Sequence, residues 1–408
     1  MSDAGVVIVG ASYAGLQMAS TARALGYQGP IRLIGEESMA PYQRPPLSKQ
    51  FLAGGMAASV LPLKSEDFYT QQGIELLPDA RVVSIDRDRR VVETARGERI
   101  PYRWLGLATG ARPRPLHVPD VDLDGVYELR TLEHARALRA ALRPDAVVVV
   151  IGGGFIGLEA AATARGLGCR VTVVEAGDRL LARALSPRMA SYLEARHRAE
   201  GIDIRLSSTA ERIDNRGGRV GGVTLRDGTT LEADLVVVGI GVLPNSELAE
   251  RAGIRCANGI LVDRNGQSSD PSVFAAGDCA CHAQWTGGPL RLESVQNAND
   301  QGRAAGAAIA GQPKPYGAVP WFWSDQFGIK LQMAGLSAGH DQVVMRGEME
   351  EGRFSLFYFR QGVLIAADSV NRAGEHMAVR RLLAAAVPLR PEQAADAQAD
   401  LKALVPRA

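Results

Sequence analysis

The amino-acid sequence predicts an α/β fold built from two Rossmann-type units and a smaller C-terminal α+β unit. Two apolar, β-branched runs each lead into a glycine-rich turn and a helix-like segment: VVIVGASYAGLQ from Val6 to Gln17, and VVVVIGGGFIGLEAA from Val147 to Ala161. An acidic residue follows each turn, and a long segment of the first half of the chain recurs in the second. Together these features are typical of two copies of one dinucleotide-binding unit.

The second turn has the complete G-x-G-x-x-G pattern, with Gly152, Gly154 and Gly157. The first glycine permits a tight turn, the middle one lets the backbone approach a pyrophosphate, and the third lets the helix pack against the strand. The free N–H groups at the start of the helix would bind the phosphates. We therefore predict a dinucleotide site at this turn.

The first turn keeps Gly10 and Gly15, but Ser12 replaces the middle glycine. Its hydroxyl could donate to a phosphate oxygen, or its Cβ could push the ligand outward. We interpret Ser12 as a tolerated variant, because the rest of the unit is intact. Two dinucleotide sites in one chain indicate a protein that passes electrons between them, which is a flavin- and nicotinamide-dependent oxidoreductase.

Each turn has an acidic residue downstream of it. Glu36 follows IRLIG and Glu175 follows VTVV, so both fit the end of a second strand. A carboxylate there accepts hydrogen bonds from a ribose 2′-hydroxyl and repels a 2′-phosphate. No arginine directly follows Glu175, so we expect the second site to prefer NADH over NADPH. The alternative is a solvated glutamate at a strand end.

An internal duplication supports this pairing. Residues 73–113 contain GIELL, ARVVSIDRDRRVV and WLGLATGARP, and residues 201–244 contain GIDIR, AERIDNRGGRV and LVVVGIGVLP. Gly73 and Gly201 open the two segments, and GARP and GVLP close them. We interpret them as two copies of one α/β unit with a β-meander insertion.

Length and composition set the outer limits. A chain of 408 residues with 46% hydrophobic and 22% charged residues predicts a globular protein of two or three domains. The net charge of +1 does not indicate nucleic acid or a membrane surface as a partner. The first strand begins by Val6, which leaves no room for a signal peptide, and the glycine turn interrupts the apolar stretch 147–162. We therefore expect a cytoplasmic protein without a membrane span.

The four cysteines are Cys169, Cys256, Cys279 and Cys281, and they form no C-x-x-C pair. Flavin-dependent disulfide reductases need a redox thiol beside the flavin, usually early in the chain, and no cysteine precedes residue 169. The Cys279–Ala–Cys281 spacing rarely gives disulfide geometry, and no His/Cys cluster completes a zinc site. We expect bystander thiols and no metal.

Beyond these motifs, the chain resembles the FAD-containing, NADH-dependent ferredoxin reductases of bacterial oxygenase systems, the putidaredoxin reductase-like family. The resemblance covers almost the whole chain. It rests on the strings PYQRPPLSK (41–49), LATGARPRPL (107–116), LRTLEHA (129–135), GGGFIGLEAAATA (152–164), VFAAGDCA (273–280), ESVQNA (293–298) and PWFWSDQ (320–326). It implies a glutathione-reductase-like arrangement of the two Rossmann domains.

The same resemblance implies roles for three charged residues. Arg44 would lie near the flavin pyrophosphate, and Lys49 near the N5 edge of the flavin, where hydride arrives. Glu159, just past the last glycine of the second turn, would approach the nicotinamide carboxamide and pair with Lys49. The alternatives are a surface lysine and a glutamate that only complements the helix dipole.

Further flavin contacts are implied in the second half of the chain. Asp278 resembles the aspartate that binds the ribityl hydroxyls, and the amide of Val295 would meet the flavin pyrimidine edge at a helix start. Trp321 would cover the isoalloxazine, although a core position is the alternative for a strand of large aromatics. Arg130 would contact the flavin nucleotide, and Val82 its adenine.

The expected site residues fall into two sets. For FAD they are Gly10, Ser12, Ala14, Gly15, Glu36, Arg44, Lys49, Val82, Ala108, Thr109, Gly110, Arg130, Asp278, Val295 and Trp321. For NAD they are Gly152, Gly154, Ile156, Gly157, Glu159, Glu175, Arg183 and Gly241. Among them, Lys49 and Glu159 are the expected catalytic pair.

These placements predict three domains. The FAD domain takes residues 1–112 and 245–315, and the NAD domain takes residues 113–244. Residues 316–408 form the C-terminal α+β domain, with strand-like runs IKLQMAG, RFSLFYFR and GVLIAADSV before a helical EHMAVRRLLAAA.

The resemblance implies that electrons pass from NADH through FAD, one at a time, to a two-iron two-sulfur ferredoxin that serves a monooxygenase or dioxygenase. We expect transient electrostatic docking and a monomer or weak dimer that binds neither nucleic acid nor membrane. Lys64 and Arg303 are candidate docking contacts, and the alternative for both is a plain solvated position. The alternatives are an NADH oxidase, a rubredoxin, disulfide or monodehydroascorbate reductase, and a non-catalytic NADH-sensing flavoprotein.

Overall fold

The computed structural model describes residues 4–285 and 288–405, with residues 283–285 described by their backbone alone. The chain divides into two compact units. The first unit consists of Met1–Gln43, Ser59–Arg112 and Val242–Ala318, and the second of Arg44–Ala58, Pro113–Gly241 and Val319–Ala408. Each unit contains one of the two glycine turns. The finer division into three domains stays a prediction.

The elements of the first half of the chain, in order, are β1 (Gly5–Val9), α1 (Tyr13–Ala24), β2 (Ile31–Ile34), the 3₁₀ helices η1 (Pro45–Ser48) and η2 (Ala58–Val60), α2 (Glu66–Gln71), β3 (Ile74–Leu77), β4 (Val82–Asp86), β5 (Val91–Thr94), β6 (Arg99–Leu107), β7 (Ala111–Pro113), β8 (Val126–Glu128), α3 (Leu132–Ala141), β9 (Val147–Ile151), α4 (Phe155–Gly166), β10 (Arg170–Val174), α5 (Pro187–Ala199) and β11 (Asp203–Arg205).

The remaining elements are β12 (Ala210–Arg216), β13 (Arg219–Leu225), β14 (Thr230–Glu232), β15 (Leu235–Val238), β16 (Val242–Pro244), α6 (Glu247–Arg251), β17 (Cys256–Ala257), β18 (Gly259–Val262), β19 (Val273–Ala275), β20 (Ala280–Trp285), β21 (Gly288–Leu290), α7 (Val295–Ile309), β22 (Trp321–Gln326), β23 (Ile329–Gly335), β24 (Gln342–Glu348), β25 (Arg353–Arg360), β26 (Val363–Val370), α8 (Ala373–Ala384) and α9 (Pro391–Ala395).

The first unit is built on a sheet in the order β3-β2-β1-β6-β5-β4, and β19 also pairs with β6. Strands β1, β2, β3, β6 and β19 run parallel, whereas the first residues of β6 pair antiparallel with β5. Hydrophobic clusters cover both faces, and one of them includes residues of α1 and α7. Strands β1 and β19 are buried along their whole length, as apolar runs between two layers should be, whereas β3 is partly exposed.

The second unit repeats this plan and adds another sheet. Its parallel sheet has the order β11-β10-β9-β15-β8, and β12, β13 and β14 form the antiparallel meander. The C-terminal sheet, in the order β22-β23-β26-β25-β24, is antiparallel and shares a hydrophobic cluster with α8 and α9. The predicted C-terminal strands and the following helix are thereby confirmed.

The predicted duplication is also confirmed, and we call residues 5–107 the first copy and residues 147–238 the second copy. In both, strand, glycine turn and helix lead to a parallel second strand. Arg23 of α1 donates from Nε to the Gln72 carbonyl at 2.7 Å, and Arg165 of α4 donates to the Glu200 carbonyl at 2.7 Å. Each arginine thus ties its helix to the residue just before Gly73 or Gly201.

Among the described residues, no helix is long and apolar enough to cross a membrane.

Candidate active site

The first glycine turn joins β1 to α1. Gly10 has φ +114°, and a Cβ on it would lie 2.0 Å from the Ala108 carbonyl oxygen. A Cβ on Gly15 would lie 2.0 Å from the Gly10 carbonyl oxygen. Ser12 has extended backbone at the N-cap of α1, and its side chain makes no capping hydrogen bond. Packing of the turn therefore requires glycine at two of the three positions and accepts serine at the middle one.

The end of β6 lies directly beside this turn. The Ala108 N–H donates to the Val9 carbonyl at 2.8 Å. Thr109 Oγ1 donates to the Asn245 carbonyl at 2.6 Å, and the Asn245 amide donates back to the Thr109 carbonyl at 2.8 Å. Gly110 follows with φ +67°. The structure thus places the predicted residues 108–110 at the carboxyl end of the central strands, next to Gly10, where parallel sheets bind ligands.

Helix α7 and the loop before it add to the candidate FAD site formed by the turn at Gly10 and by residues 108–110; we call this site the first cradle. The Gly277 N–H donates to Gln301 Oε1 at 2.9 Å, which fixes the backbone just before the half-buried Asp278. Ser294 caps α7 by accepting from the Asn297 N–H, so Val295 is the first helical residue, as predicted. The Oδ1 of Asn297 is buried and has no hydrogen-bond partner. A buried acceptor without a partner and a helix N-terminus fit a polar ligand such as FAD.

Two predicted FAD residues of the first unit, Glu36 and Val82, contact residues outside the glycine turn and the start of α7. Glu36 is 68% exposed and forms a 3.6 Å ion pair with Arg81. The residue that follows β2 directly is Gly35, whose N–H donates to the Leu77 carbonyl. Val82 is only 9% exposed and belongs to the hydrophobic cluster of one sheet face. Both residues stay predicted contacts.

The second glycine turn has nearly the same geometry. Gly152 has φ +112°, and its Cβ would lie 2.4 Å from the Gly239 carbonyl oxygen. A Cβ on Gly157 would lie 2.2 Å from the Gly152 carbonyl oxygen. By contrast, a Cβ on Gly154 would meet no atom closer than 3.9 Å, and Ile156 is 45% exposed. The protein's own packing does not require glycine at 154, which fits a site where a pyrophosphate approaches the backbone.

Glu175 follows β10 directly, and both of its carboxylate oxygens are bound within the second unit. Oε2 accepts from the Gly153 N–H and Oε1 from the Gly177 N–H, each at 2.6 Å. The carboxylate is thereby oriented at the glycine turn, where the sequence predicted a ribose contact. Arg183, another predicted NAD residue, places Nη2 only 2.9 Å from the position that a Cβ on Gly241 would take.

The predicted pairing of Lys49 with Glu159 is present, and Lys49 is 17% exposed. Lys49 Nζ lies 2.6 Å from Glu159 Oε2, and Glu159 is 2% exposed. Ser48 donates from Oγ to the same oxygen at 2.5 Å, and Ser324 donates to Oε1 at 2.6 Å. Thr163, one turn along α4, donates to the Ser48 carbonyl at 2.7 Å. The carboxylate therefore has a donor on each oxygen and a cation beside one of them.

Sequence reasoning missed Ser48 and Ser324, although both lie in strings that carried the resemblance. The available signal was a small hydroxyl residue directly after an apolar or aromatic one, namely Leu47 and Trp323. Ser48 is 2% and Ser324 is 1% exposed. Hydroxyl groups in such positions need a hydrogen-bond partner, and here that partner is Glu159.

The other predicted flavin residues of the second unit have partners within that unit. Arg44 donates from Nη1 to the Arg130 carbonyl at 2.9 Å, which brings these two predicted residues together. The Trp321 ring lies 5.5 Å from the Trp323 ring and beneath the Arg380 guanidinium at 4.4 Å. Trp321 is half-buried in β22, and its contact with the flavin stays a prediction.

All four cysteines are free, and burial raises the pKa of each thiol. The pKa of Cys256, the least buried, rises to about 11. A thiol with a raised pKa has little thiolate at neutral pH and is a poor nucleophile. None of these thiols is therefore prepared for redox catalysis. Among the described residues, no cluster of His, Cys, Asp or Glu is suited to a metal ion.

Comparisons with known proteins agree with this geometry. Residues 4–302 match the pyridine nucleotide-disulphide oxidoreductase family, and residues 321–405 match the reductase C-terminal family. Rhodocoxin reductase from Rhodococcus erythropolis is 46% identical over 403 residues, which cover 98% of this chain and 94% of that protein.

Two solved structures are similar over nearly the full length. A ferredoxin reductase from Rhodopseudomonas palustris has 48% identity and a TM-score of 0.96, covering 98% of this chain and 100% of that one. Putidaredoxin reductase, in a covalent complex with putidaredoxin, has 40% identity and a TM-score of 0.96, covering 99% of both. The chain belongs to the pyridine nucleotide-disulphide oxidoreductase family and is a flavoprotein oxidoreductase that uses FAD and a nicotinamide dinucleotide.

Proposed function

We propose that this protein passes electrons from NADH through FAD, one at a time, to a two-iron two-sulfur ferredoxin that serves a monooxygenase or dioxygenase. The observation that carries the proposal is the presence of two dinucleotide cradles, one in each unit, in a chain whose thiols all have raised pKa values. A carrier protein, rather than a disulfide, is the acceptor that this combination favours. Relatives of this chain bear the names ferredoxin reductase and putidaredoxin reductase.

FAD, when bound, supplies the conversion between two-electron hydride uptake and one-electron release. The chain's own residues supply position and charge. In the first unit, we propose that the α7 N-terminus and Asp278 bind and orient the flavin, while the turn at Gly10 binds its pyrophosphate. In the second unit, the turn at Gly152 binds the pyrophosphate of NADH, and Glu175 accepts from the adenosine ribose hydroxyls.

The nicotinamide end is assigned to Glu159 and Lys49. The Glu159 carboxylate accepts from donors on both oxygens, and its 2.6 Å bond to Lys49 prevents an unpaired buried charge. We propose that this carboxylate orients the nicotinamide carboxamide and that Lys49 adds positive charge where hydride arrives. Hydride would pass directly from the nicotinamide to the flavin, so the protein has only to align the two rings. Neither Lys49 nor Glu159 therefore has to act as a general acid or a nucleophile.

The ferredoxin would dock through local charge, because the net charge of the chain is only +1. The two predicted contacts differ in this respect. Arg303 is paired with Asp300, whereas Lys64 lies over the Phe68 ring with its ammonium 4.8 Å from the centroid. Lys64 is therefore the stronger candidate for an acidic partner. We further propose a cytoplasmic monomer or weak dimer, where four free thiols stay reduced.

Acceptor titration tests this function. The FAD-loaded protein is mixed with NADH and cytochrome c, and candidate ferredoxins and a rubredoxin are added one at a time. We expect little cytochrome c reduction without a carrier and a large increase with a two-iron two-sulfur ferredoxin. Fast oxygen consumption without any carrier would instead identify an NADH oxidase, and a preference for rubredoxin would identify a rubredoxin reductase.

A further inference from the structure

A line of buried polar side chains connects Glu159 to helix α5 within the second unit. Ser324 and Gln326 lie on the same face of β22, two residues apart, and His197 lies on α5. Their exposures are 1%, 4% and 0%. Asp325, between the two β22 residues, is exposed. Three neighbouring polar side chains in the interior of a sheet–helix contact are costly unless they bind one another.

Their hydrogen bonds form one continuous chain. His197 Nε2 lies 2.6 Å from Gln326 Oε1, Gln326 Nε2 donates to Ser324 Oγ at 2.8 Å, and Ser324 Oγ donates to Glu159 Oε1 at 2.6 Å. The His197 ring also contacts the edge of the Phe327 ring, at 5.1 Å between centroids. Every member of the chain is thus bound to the next, and the chain ends on the carboxylate.

The direction of the donors is set by the chemistry of the two ends. Glu159 can only accept as a carboxylate, so Ser324 donates to it and must itself accept from the Gln326 amide. The Gln326 carbonyl oxygen then accepts from His197. Burial lowers the pKa of His197, which favours the neutral ring, and the hydrogen bond to Gln326 Oε1 requires the proton on Nε2. His197 Nδ1, the acceptor nitrogen of this tautomer, is buried without a hydrogen-bond partner.

We propose that Ser324, Gln326 and His197 are positioning residues for the Glu159 carboxylate. This inference rests on the proposed role of Glu159 in orienting nicotinamide. Ser48, the last residue of η1, and Lys49, which follows it, bind one carboxylate oxygen, whereas Ser324 of the C-terminal sheet binds the other. Donors on two sides fix the rotation of the carboxylate plane, which a single ion pair would leave free. The C-terminal sheet therefore contributes to nicotinamide alignment through β22.

The principal test is Ser324→Ala in the FAD-loaded protein, followed by stopped-flow reduction with NADH. We expect the limiting rate of flavin reduction to fall about fivefold to fiftyfold, while the NADH concentration for half-saturation changes less than about threefold. Ser324→Thr keeps the hydroxyl and should restore most of the rate. Gln326→Leu breaks the chain one bond further away and should give a smaller loss, so it serves if Ser324→Ala does not fold.

Ser355→Ala is the matched control. Ser355 is a fully buried serine of the same sheet that donates to a glutamate, Glu375, at 2.6 Å, but has no bond to Glu159. It should lower the melting temperature without changing the reduction rate by more than about twofold. An equal loss of rate in both alanine variants would overturn the proposal, because it would show a general effect of destabilising the sheet.

A double-mutant cycle with Glu159→Gln separates this proposal from the proposed function. If Ser324 acts through the carboxylate, Ser324→Ala should change the rate by less than about twofold in the Glu159→Gln background. If Glu159→Gln itself leaves reduction unchanged, the assigned role of Glu159 is wrong. If Glu159→Gln is slow but Ser324→Ala reduces flavin at the unmodified rate, only the positioning chain is wrong.

Discussion

The two copies of the dinucleotide-binding unit share their turns but differ in what covers the helix after each turn. In the first copy, α7 lies so close to α1 that Cβ atoms on Gly302 and Gly306 would be 2.5 Å and 2.4 Å from the Ala14 and Met18 carbonyl oxygens. In the second copy, the corresponding face of α4 meets η1 and β22 through hydrogen bonds of Glu159 and Thr163. Helix α1 is therefore covered by a close backbone contact with α7, and α4 by a polar network with η1 and β22.

One pair of equivalent residues shows what this difference achieves. Gln17 and Glu159 each lie two residues after the last glycine of their turn. Gln17 donates along its own helix to Thr21 at 2.9 Å, whereas Glu159 binds Lys49, Ser48 and Ser324. The strand, glycine turn and helix are thus the same in both copies. The elements that pack on the helix differ, and of the two equivalent residues only Glu159, in the second copy, carries a buried charge. A buried charge with this many donors is a sign of function rather than stability.

The largest effect is expected from filling the close contact in the first copy. Gly306→Ala places a methyl group 2.4 Å from the Met18 carbonyl, so α7 must move away from α1. We expect a loss of about 1–3 kcal/mol in unfolding free energy and loss of bound FAD, measured by thermal denaturation and flavin absorbance. Gly166→Ala in α4 is the control, because nothing lies within 4 Å of its Cβ position. Equal stability of the two variants would contradict the contact.

The second prediction concerns the two equivalent helix residues. Glu159→Ala should slow flavin reduction by NADH about tenfold to a thousandfold, because a positioning contact to nicotinamide is lost. FAD content and electron transfer from already reduced flavin to ferredoxin should change little. Gln17→Ala, at the same position of the first copy, should leave the reduction rate unchanged. Stopped-flow mixing separates the two half-reactions, and a normal rate in Glu159→Ala would contradict the assignment.

The third prediction compares the acidic residues after the second strands. Glu175→Ala should raise the NADH concentration for half-saturation about tenfold and erode the preference over NADPH, because the oriented carboxylate is removed. Glu36→Ala should change FAD retention less than about threefold, because its ion pair with Arg81 is solvent-exposed. Steady-state kinetics with both nucleotides provide the measurement. Equal turnover of NADH and NADPH by the unmodified protein would refute the specificity argument.

The fourth prediction exchanges the middle residues of the two turns. Gly154→Ser introduces the residue found at position 12, and no protein atom lies within 3.9 Å of its Cβ position. We expect an unchanged melting temperature and a weakening of NADH binding by about threefold to tenfold, because only the pyrophosphate approaches there. Ser12→Gly should alter FAD binding by less than about twofold. A drop in melting temperature in Gly154→Ser would show that protein packing limits this position.

The smallest effect concerns how the stability of the C-terminal sheet, which packs on the second copy through β22, depends on pH. Burial raises the pKa of Asp368, in the C-terminal sheet, to about 7, and its partner Tyr358 donates to it at 2.6 Å. Unfolded Asp ionises near pH 3.9, so between about pH 4 and 7 the unfolded state gains charge that the folded state does not. Stability from this group is complete below that window and is lost as pH rises through it.

Asp368→Asn cannot ionise and still accepts from Tyr358. Its melting temperature should exceed that of the unmodified protein by several degrees at about pH 8 and by less at about pH 5. Asp325→Asn, an exposed residue of the same sheet, is the control and should show no such dependence. A constant difference across the pH range would contradict the raised pKa of Asp368.

Much of the fold was predictable because the turns obey local rules. Gly10 and Gly152 both have φ near +110°, where only glycine is relaxed, so the pattern of glycines marks the turn. The apolar runs before them are buried parallel strands. The C-terminal strands were predictable for a similar reason, since RFSLFYFR is rich in aromatic residues, which favour strands, and forms β25.

The position of Glu36 relative to the end of β2 and the partners of Glu159 were not predictable from residue composition, because they depend on strand ends and on distances in the folded chain. The acidic residue after IRLIG lies one position beyond the strand end, because Gly35, not Glu36, occupies the place of Glu175. The pairing of Lys49 with Glu159 came from resemblance, and only the structure shows that two serines share the carboxylate.

The sequence by itself determined the two glycine turns, the parallel strands around them and the duplication, because backbone sterics and strand burial act between neighbouring residues. Tertiary structure alone decided how the polar groups pair. Glu159 meets Ser48, 111 residues before it, and Ser324, 165 residues after it. Hydrogen bonds between such distant residues form only once helix α4, η1 and β22 are packed together, because their energy depends on ångström-scale distance and angle that no local pattern encodes.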